Sequence, residues 1–409
     1  MTVAPQRIAI VSEGFHPEVS GVTIAVARHL AFFAARGHEL LLAHPRYPDA
    51  VAALFRAGPA PAVPATCVRF DSEPIAPHRP ESRVPTERGA DEVDDAIASF
   101  RPRVVLYHNA DRVTVNLARP WRPSRVAGLR AARSLGAHAV PIVHTLLPLY
   151  VERSAQWYWR LPPVAAFARR LWCDVHNRNF PFAVTVDHAA RDYVRAAGVT
   201  IPVLAGPWNG VDTATFHPRD LPRPPDAPLR IASVGRLVHE KRADLLVPLV
   251  ASLRRAGVRF HLTVVGDGAL APSLRAALDG APDVTFTGWR APPDVAEALA
   301  HADLYLSLSD TESFSLTAEE ALASGVPVVA PDVIGFRRLA GGELGRLFPA
   351  AWLDARGMDA LARLLRDEAT SAQREAWARN ARATAASRGW DVALGSFAEA
   401  LSRETGVAL

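Results

Sequence analysis

Short apolar runs alternating with helical patterns, in two successive series, are what most limit the fold open to this chain. The first run, Arg7-Ile-Ala-Ile-Val-Ser12, ends in a polar loop from Glu13 to Ser20, and a helical pattern from Val22 to Arg36 follows, stopped by Gly37. Glu39–Ala43, Arg103–Tyr107, His138–Val143, Phe182–Val186 and Pro202–Ala205 read as further buried strands, with helical patterns between them, as at Arg122–Leu135 and Ala189–Ala197. Apolar strands joined by helices predict a parallel sheet covered on both faces. The proline-rich stretch His217–Pro228 breaks the rhythm as a stiff linker. After it the alternation restarts with strands Leu229–Ser233, Phe260–Val265, Val284–Thr287, Leu304–Leu308 and Pro327–Ala330. Helices are expected between these over Arg242–Ala256, Ala271–Leu278, Pro293–Ala300 and Ala318–Ala323.

The expected organisation is α/β: a Rossmann-like N-terminal domain over residues 1–206 and a second over 207–387. A C-terminal helix in 388–409 should pack back on the first domain. Ligands of doubly wound parallel sheets bind beyond the carboxyl ends of the strands. Two such domains facing each other would share a cleft, and the chemistry should sit in loops that directly follow strands.

Composition narrows the function. At 409 residues, 49% hydrophobic and 22% charged, the chain is globular and long enough for two cores. No apolar run approaches the ~20 residues that span a bilayer, and the N-terminus lacks the zones of a signal peptide. Cys67 and Cys173 offer neither a disulfide framework nor a metal spacing, so a reducing, cytoplasmic setting is expected. Net charge is +4, but the basic residues are scattered arginines, which argues against nucleic acid as a partner. Among 46 basic residues there is one lysine, Lys241.

That lysine belongs to Gly235-Arg-Leu-Val-His-Glu-Lys241, directly after a strand and before a helix. Arg236 and Lys241 there bring two cations to a helix N-terminus, which suits a diphosphate leaving group. A basic pair opening a solvated helix is about as common. The strongest constellation is Glu312-Ser313-Phe314-Ser315-Leu316-Thr-Ala-Glu-Glu320, again directly after a strand. Two carboxylates that both face a crevice can accept bonds from the vicinal hydroxyls of a ribose or a sugar. Thr317 to Glu320 is also a capping box, which would give Glu320 a purely local role.

Gly266-Asp-Gly268 matches a dinucleotide fingerprint only superficially, because the acidic residue expected about twenty positions on is absent. It reads as a tight turn at the cleft rim, near the nucleotide base. Gly21, opening the first helix, offers backbone N–H groups to a phosphate or is an ordinary turn glycine. His144 closes a strand and can donate to a sugar hydroxyl or assist the departing phosphate, although a structural histidine is the commoner case. Asp91, Asp94 and Asp95 read as a solvated helix start and not a metal site. Trp157–Trp172 is aromatic and basic, and Pro162 and Pro163 favour core packing over a membrane-facing helix there.

Taken together, the phosphate loop, the Glu-x7-Glu element, Gly206-Pro-Trp-Asn-Gly-Val-Asp212-x3-Phe216-x-Pro218 and the opening Phe15-His-Pro-Glu-Val-Ser-Gly-Val22 resemble the retaining glycosyltransferases of family four. The resemblance covers nearly the whole chain. It implies the GT-B fold, a nucleotide diphosphate sugar as co-substrate, no cofactor and no divalent cation. It also implies that Arg236 and Lys241 hold the diphosphate, Glu320 the ribose and Glu312 the donor sugar. Gly21 would contact the phosphate and His144 lie beside the reacting sugar, while Ser313, Phe314, Ser315 and Leu316 line the donor and Gly266 and Gly268 border it. Many members have glycine where Ser315 stands, and some have serine where Asp187 stands.

The expected activity is transfer, with retention, of a hexose from a GDP- or UDP-linked donor to a small-molecule or lipid acceptor. A sugar-nucleotide epimerase or pseudo-glycosyltransferase of the same fold is the nearest rival, and a non-catalytic nucleotide-sugar sensor the next. A nicotinamide dehydrogenase is the weakest reading. Acceptor loops are expected at Tyr107–Thr114 and Leu146–Trp159. Oligomeric state stays open between monomer and homodimer, as does peripheral membrane contact.

Overall fold

The computed structural model describes residues 4–18, 20–53, 63–76, 79–111, 114–115, 125–152, 161–219, 227–339, 342–367 and 371–409. They form two compact units, one of 4–152, 161–209 and 393–409 and the other of Gly210–Val392.

The first unit is built on strands β1 (Arg7–Ser12), β2 (Glu39–Pro45) and β3 (Thr66–Phe70), a hairpin of β4 (Ser72–Ala76) and β5 (Arg79–Pro85), and β6 (Val104–His108). A short pair, β7 (Thr114–Val115) and β8 (Arg125–Val126), precedes β9 (His138–Val143), β10 (Ala183–Thr185) and β11 (Val203–Ala205). Seven of these make one sheet in the order β11-β10-β9-β6-β1-β2-β3, with every neighbouring pair parallel. The chain winds from β1 outward through β2 and β3, then returns to β6 on the other side of β1. The switch point therefore lies between β1 and β6, the place beyond whose carboxyl edge sheets of this kind bind ligands.

Helix Gly21–Ala35 follows β1. Ser20 caps it, with Ser20 Oγ accepting from the Thr23 amide and Thr23 Oγ1 accepting from the Ser20 amide. Its buried stripe includes Val26, His29, Leu30 and Phe33, the spacing of one helical face. Phe397, from the C-terminal residues 393–409, packs on His29 and Trp208 within this unit.

Three expectations need correction here. Asp94 does not belong to a solvated helix start: it lies mid-way along helix Glu87–Phe100, 2% exposed, ion-paired with Arg125 and Arg130 and accepting from the Ala131 amide. The helix expected over Arg122–Leu135 is Leu129–Ser134, because β8 and the left-handed Gly128 occupy its start; residues 116–124 lie outside the described set. Helix Pro162–Asn179 begins at the two prolines, whose missing N–H groups suit a first turn. Its second half is core, with Trp172 fully buried, whereas Leu161 and Phe167 are exposed; residues 153–160 of the same stretch are outside the description.

The second unit has strands β12 (Leu229–Val234), β13 (Phe260–Val265), β14 (Val284–Gly288), β15 (Leu304–Leu306), β16 (Val328–Pro331) and β17 (Gly345–Phe348) in the order β14-β13-β12-β15-β16-β17, all parallel. The edge strand β17 was not anticipated, as Gly-Arg-Leu-Phe is short and half polar. Its core runs through Leu249 and Leu253 of helix Leu246–Arg255, Leu262, Leu304 and Leu361. The switch point falls between β12 and β15. Of the expected linker His217–Pro228, residues 220–226 are outside the description.

Asp94→Ala should destabilise the first unit by about 1–3 kcal/mol, since it strands the buried Ala131 amide and removes the buried partner of Arg125. Asp95→Ala, at an exposed neighbour, should stay within about 0.5 kcal/mol of the parent. Urea unfolding followed by tryptophan fluorescence compares the two, and equal effects would sink the assignment.

Candidate functional site

At the switch point of the second unit a cavity of about 70 Å³ opens between the loops that leave β12 and β15; Gly235, Arg236, Lys241, Arg242, Tyr305 and Glu312 are among its lining residues. Lys241 Nζ donates to Glu312 Oε1 at 2.5 Å, so residues 71 positions apart meet where the strand order reverses. Arg242 bonds Asp310 at 3.4 Å, and Arg236, largely exposed, bonds Glu240 at 3.5 Å. Each cation of the loop thus has a carboxylate within reach.

The Gly235–Arg242 loop differs from expectation in its backbone. Lys241 does not open an α-helix. It ends a 3-10 turn, His239–Lys241, and Arg242 follows in the left-handed region with φ 52° before a second such turn, Ala243–Leu245. The α-helix starts only at Leu246. Gly266 and Gly268 brace this loop from β13. Both have positive φ, and a Cβ at either would fall 1.9 Å from the Gly235 carbonyl oxygen or 2.6 Å from that of Leu237. The Leu237 amide also donates to the Asp267 carbonyl. These glycines therefore shape the loop that carries the cations; they do not line the cavity.

Glu312 begins the turn before helix Leu316–Ala323. Its carbonyl accepts from the Gly335 amide at 2.9 Å, and a Cβ on Gly335 would meet the Glu312 Cβ at 2.6 Å. The expected Thr317–Glu320 capping box is not formed, because Ser315 is the cap, its hydroxyl accepting from the Ala318 amide at 3.4 Å. Ser315 has φ 60°, a left-handed conformation that favours glycine. Arg338, absent from the sequence reading, holds this turn. It donates to the Ser315 carbonyl at 3.3 Å, to the Gly335 carbonyl and to Glu319, and its guanidinium lies 4.1 Å from the centre of the Phe314 ring. Ser313 and Phe314 are buried beneath the loop, and Leu316 is half-buried.

The adjacent carboxylates of this helix have opposite electrostatics. Burial alone would raise Glu319, but the guanidiniums of Arg338 and Arg388 hold it below the usual carboxylate range. Glu320 has no such partners among the described residues, and burial pushes it up to about 7. Glu319 belongs to a structural ion triad, whereas Glu320 is not among the residues that line the cavity. Tyr305, beneath both Glu312 and Glu320, hydrogen-bonds the Ser307 and Ser315 side chains and also escaped the sequence reading.

In the first unit the carboxyl edge gathers Ser12, His108 and His144 from adjacent strands β1, β6 and β9. His144 is 8% exposed, and burial pulls it down to about 4, so at neutral pH it is an uncharged imidazole. It can donate or accept a hydrogen bond but does not present a cation. Asn109, in the left-handed region at φ 57°, ties this edge together: its Oδ1 accepts from the His144 and Thr145 amides, both at 2.9 Å, and its Nδ2 donates to Glu13 and Thr145. A left-handed Asn is recognisable only once the backbone is known. Gly21 is the exposed first residue of its helix, where amide N–H groups lack intrahelical partners. Asp187 caps helix His188–Ala197 through the Ala190 amide, a role serine can also fill. Of the two acceptor loops expected, 112–113 and 153–159 lie outside the described residues.

Because the folded-state pKa of Glu320 is about 7 against an ordinary 4.5, the folded protein holds that proton longer than the unfolded chain. Ionisation therefore costs stability, with no cost below pH 4.5, a growing one up to about 7, and a constant one above. Glu320→Gln should be more stable than the parent by about 1–3 kcal/mol at pH 8 and by little at pH 4.5. Thermal unfolding across that range reads the difference, and parallel profiles would refute the shift.

Residues 228–367, which contain this cavity, match the family described as Glycosyl transferases group 1. Over 393 residues, 94% of this chain and 93% of the relative, the chain is 31% identical to a GDP-mannose-dependent alpha-mannosyltransferase of Mycobacterium tuberculosis. Among solved structures it is similar to sucrose-phosphate synthase of Thermosynechococcus elongatus, with TM-score 0.70 at 18% identity, 99% of this chain and 100% of that one covered. It is also similar to Anabaena Alr3699/HepE in complex with UDP, with TM-score 0.68 at 16% identity, covering 97% of this chain and 100% of that one. The two parallel-sheet α/β units are those of the GT-B fold, and the chain belongs to the group 1 glycosyl transferases.

Proposed function

We propose that the protein is a retaining hexosyltransferase that moves mannose from GDP-mannose to a small-molecule or lipid acceptor. The observation that carries the reading is the meeting of Lys241 and Glu312 at 2.5 Å over the switch-point cavity. It joins the one lysine of the chain to a carboxylate suited to sugar hydroxyls. The choice of guanine and mannose rests on the relative that covers nearly the whole chain; a UDP-linked hexose is the alternative donor.

In this scheme the diphosphate enters the Gly235–Arg242 loop, where Lys241 and Arg236 neutralise it. Displaced from Lys241, Glu312 accepts bonds from hydroxyls of the donor sugar, and Glu320 accepts from the ribose diol. Gly21 in the first unit offers its amide to the phosphate, and neutral His144 donates to a sugar or phosphate oxygen. The bond between the anomeric carbon and the phosphate oxygen breaks as the acceptor oxygen attacks the same face. The acceptor proton passes to the departing diphosphate, so charge balances without a protein base. Lys241, Arg236 and amide dipoles supply the positive charge, and we infer that no divalent cation is required.

Lys241→Ala should lower kcat by about 10²–10³, the cost of losing one charge-assisted contact to a developing anion, while leaving the fold intact by circular dichroism. Release of GDP from GDP-mannose with an acceptor panel measures it, and NMR of the product should show the anomeric configuration of the donor. Full activity in Lys241→Ala, or an inverted product, would end this reading. Turnover should also survive a chelator.

A further inference from the structure

His144 is the outermost of three packed imidazoles. Its Nε2 lies 2.9 Å from Nδ1 of His108, the last residue of β6, with ring planes 14° apart and centroids at 4.9 Å. His29, from helix Gly21–Ala35, meets His108 edge-on, with centroids also at 4.9 Å and planes at 75°, and Phe397 packs on His29 at 5.0 Å. His108 is fully buried, and its Nε2 has no hydrogen-bond partner among the described residues.

A short N–N distance between nearly parallel rings is a hydrogen bond in the ring plane, and two neutral imidazoles place one proton in it. There are two ways to do so. If His144 donated from Nε2, neutral His108 would carry its own proton on Nε2, as a buried N–H with no acceptor. Orphaned buried N–H groups are rare and costly. If His108 donates from Nδ1, its Nε2 is left with only a lone pair, and His144 must carry its proton on Nδ1. Burial keeps both rings neutral, so no doubly protonated form competes.

We propose that His108 is a positioning residue that fixes His144 as the Nδ1–H tautomer, so that His144 meets the donor substrate as an uncharged hydrogen-bond donor to a sugar hydroxyl or phosphate oxygen. This rests on the reading of His144 given above, but the tautomer itself does not. Which ring nitrogen bears the proton is set by the bond its other nitrogen makes, and here that bond comes from a neighbouring strand. The pairing needs β6 and β9 to be adjacent and in register, as they are, with His108 opposite Ile142, two residues before His144.

Nitrogen-15 NMR of the full chain labelled at histidine tests the tautomer directly. His144 and His108 should each show a protonated Nδ1 and a bare Nε2, with assignments from His144→Gln and His108→Asn; a protonated Nε2 on His144 overturns the proposal. His108→Phe keeps the ring shape and removes the donor, whereas His108→Asn keeps an N–H near the Nδ1 position. His108→Phe should lose about tenfold in kcat with the GDP-mannose KM within about twofold, and His108→Asn should recover most of it. Equal losses in the two variants, or none in either, would also overturn it. If His144→Ala is silent while NMR shows its Nδ1–H, the role of His144 in transfer falls and the tautomer assignment stands.

Discussion

The candidate donor site depends on a cation held above a parallel sheet at the point where its winding reverses. Between β12 and β15 no helix crosses over, so the loops leaving both strands are free to converge, and Lys241 reaches Glu312 there. A half-buried ion pair of this kind contributes roughly 1 kcal/mol or less to stability. That is too little to explain its place in the fold. Its consequence is electrostatic: the loop is locally neutral, since Arg236, Lys241 and Arg242 each face a carboxylate. Under the proposed function, a pyrophosphate, with more charge than a carboxylate, would replace Glu312 on Lys241 and free Glu312 for hydroxyl groups. On that reading, one contact would link arrival of the phosphates to the freeing of Glu312.

The same economy of charge runs through the buried residues around each carboxyl edge. Glu319 is kept ionised by two guanidiniums, while its neighbour Glu320, without them, is raised to about 7. Paired environments that push adjacent carboxyls apart separate a structural role from a binding role. In the first unit burial removes charge instead: His29 falls to about 3 and His144 to about 4. The second unit thus presents cations at its carboxyl edge, and the first presents uncharged imidazoles at its own.

How much of this was legible in the sequence follows from which signals are local. Apolar runs such as Arg7–Ser12 and Phe260–Val265 are mostly buried in parallel strands, and their length and apolar content give them away. The α/β fold followed from them, as did the placing of Lys241 and Glu312 just after strands. What was not legible depends on contacts distant in the chain. Asp94 reads as solvated until Arg125 and Arg130 are brought to it, and Arg338 has no mark of its relation to Ser315, 23 positions earlier. The capping box was misassigned because Thr317 and Ser315 are both acceptable caps by residue type, and only the left-handed φ at Ser315 decides between them. Arg242 interrupts an otherwise helical pattern for the same reason, since a backbone dihedral leaves no periodicity behind.

Ser315 shows why that local detail matters for the site. Glycine, common at this position among the enzymes the sequence resembles, adopts φ 60° without strain; serine does so at a cost of about 1 kcal/mol. Here the cost is offset by contacts that glycine cannot make in full. The hydroxyl caps Ala318 and bonds Tyr305, and Arg338 holds the carbonyl. Tyr305 in turn lies under Glu312 and Glu320 and lines the cavity. The serine therefore couples the turn that sets Glu312 to the strand beneath it. It places a hydroxyl in the turn that carries Glu312, where a glycine would leave open space.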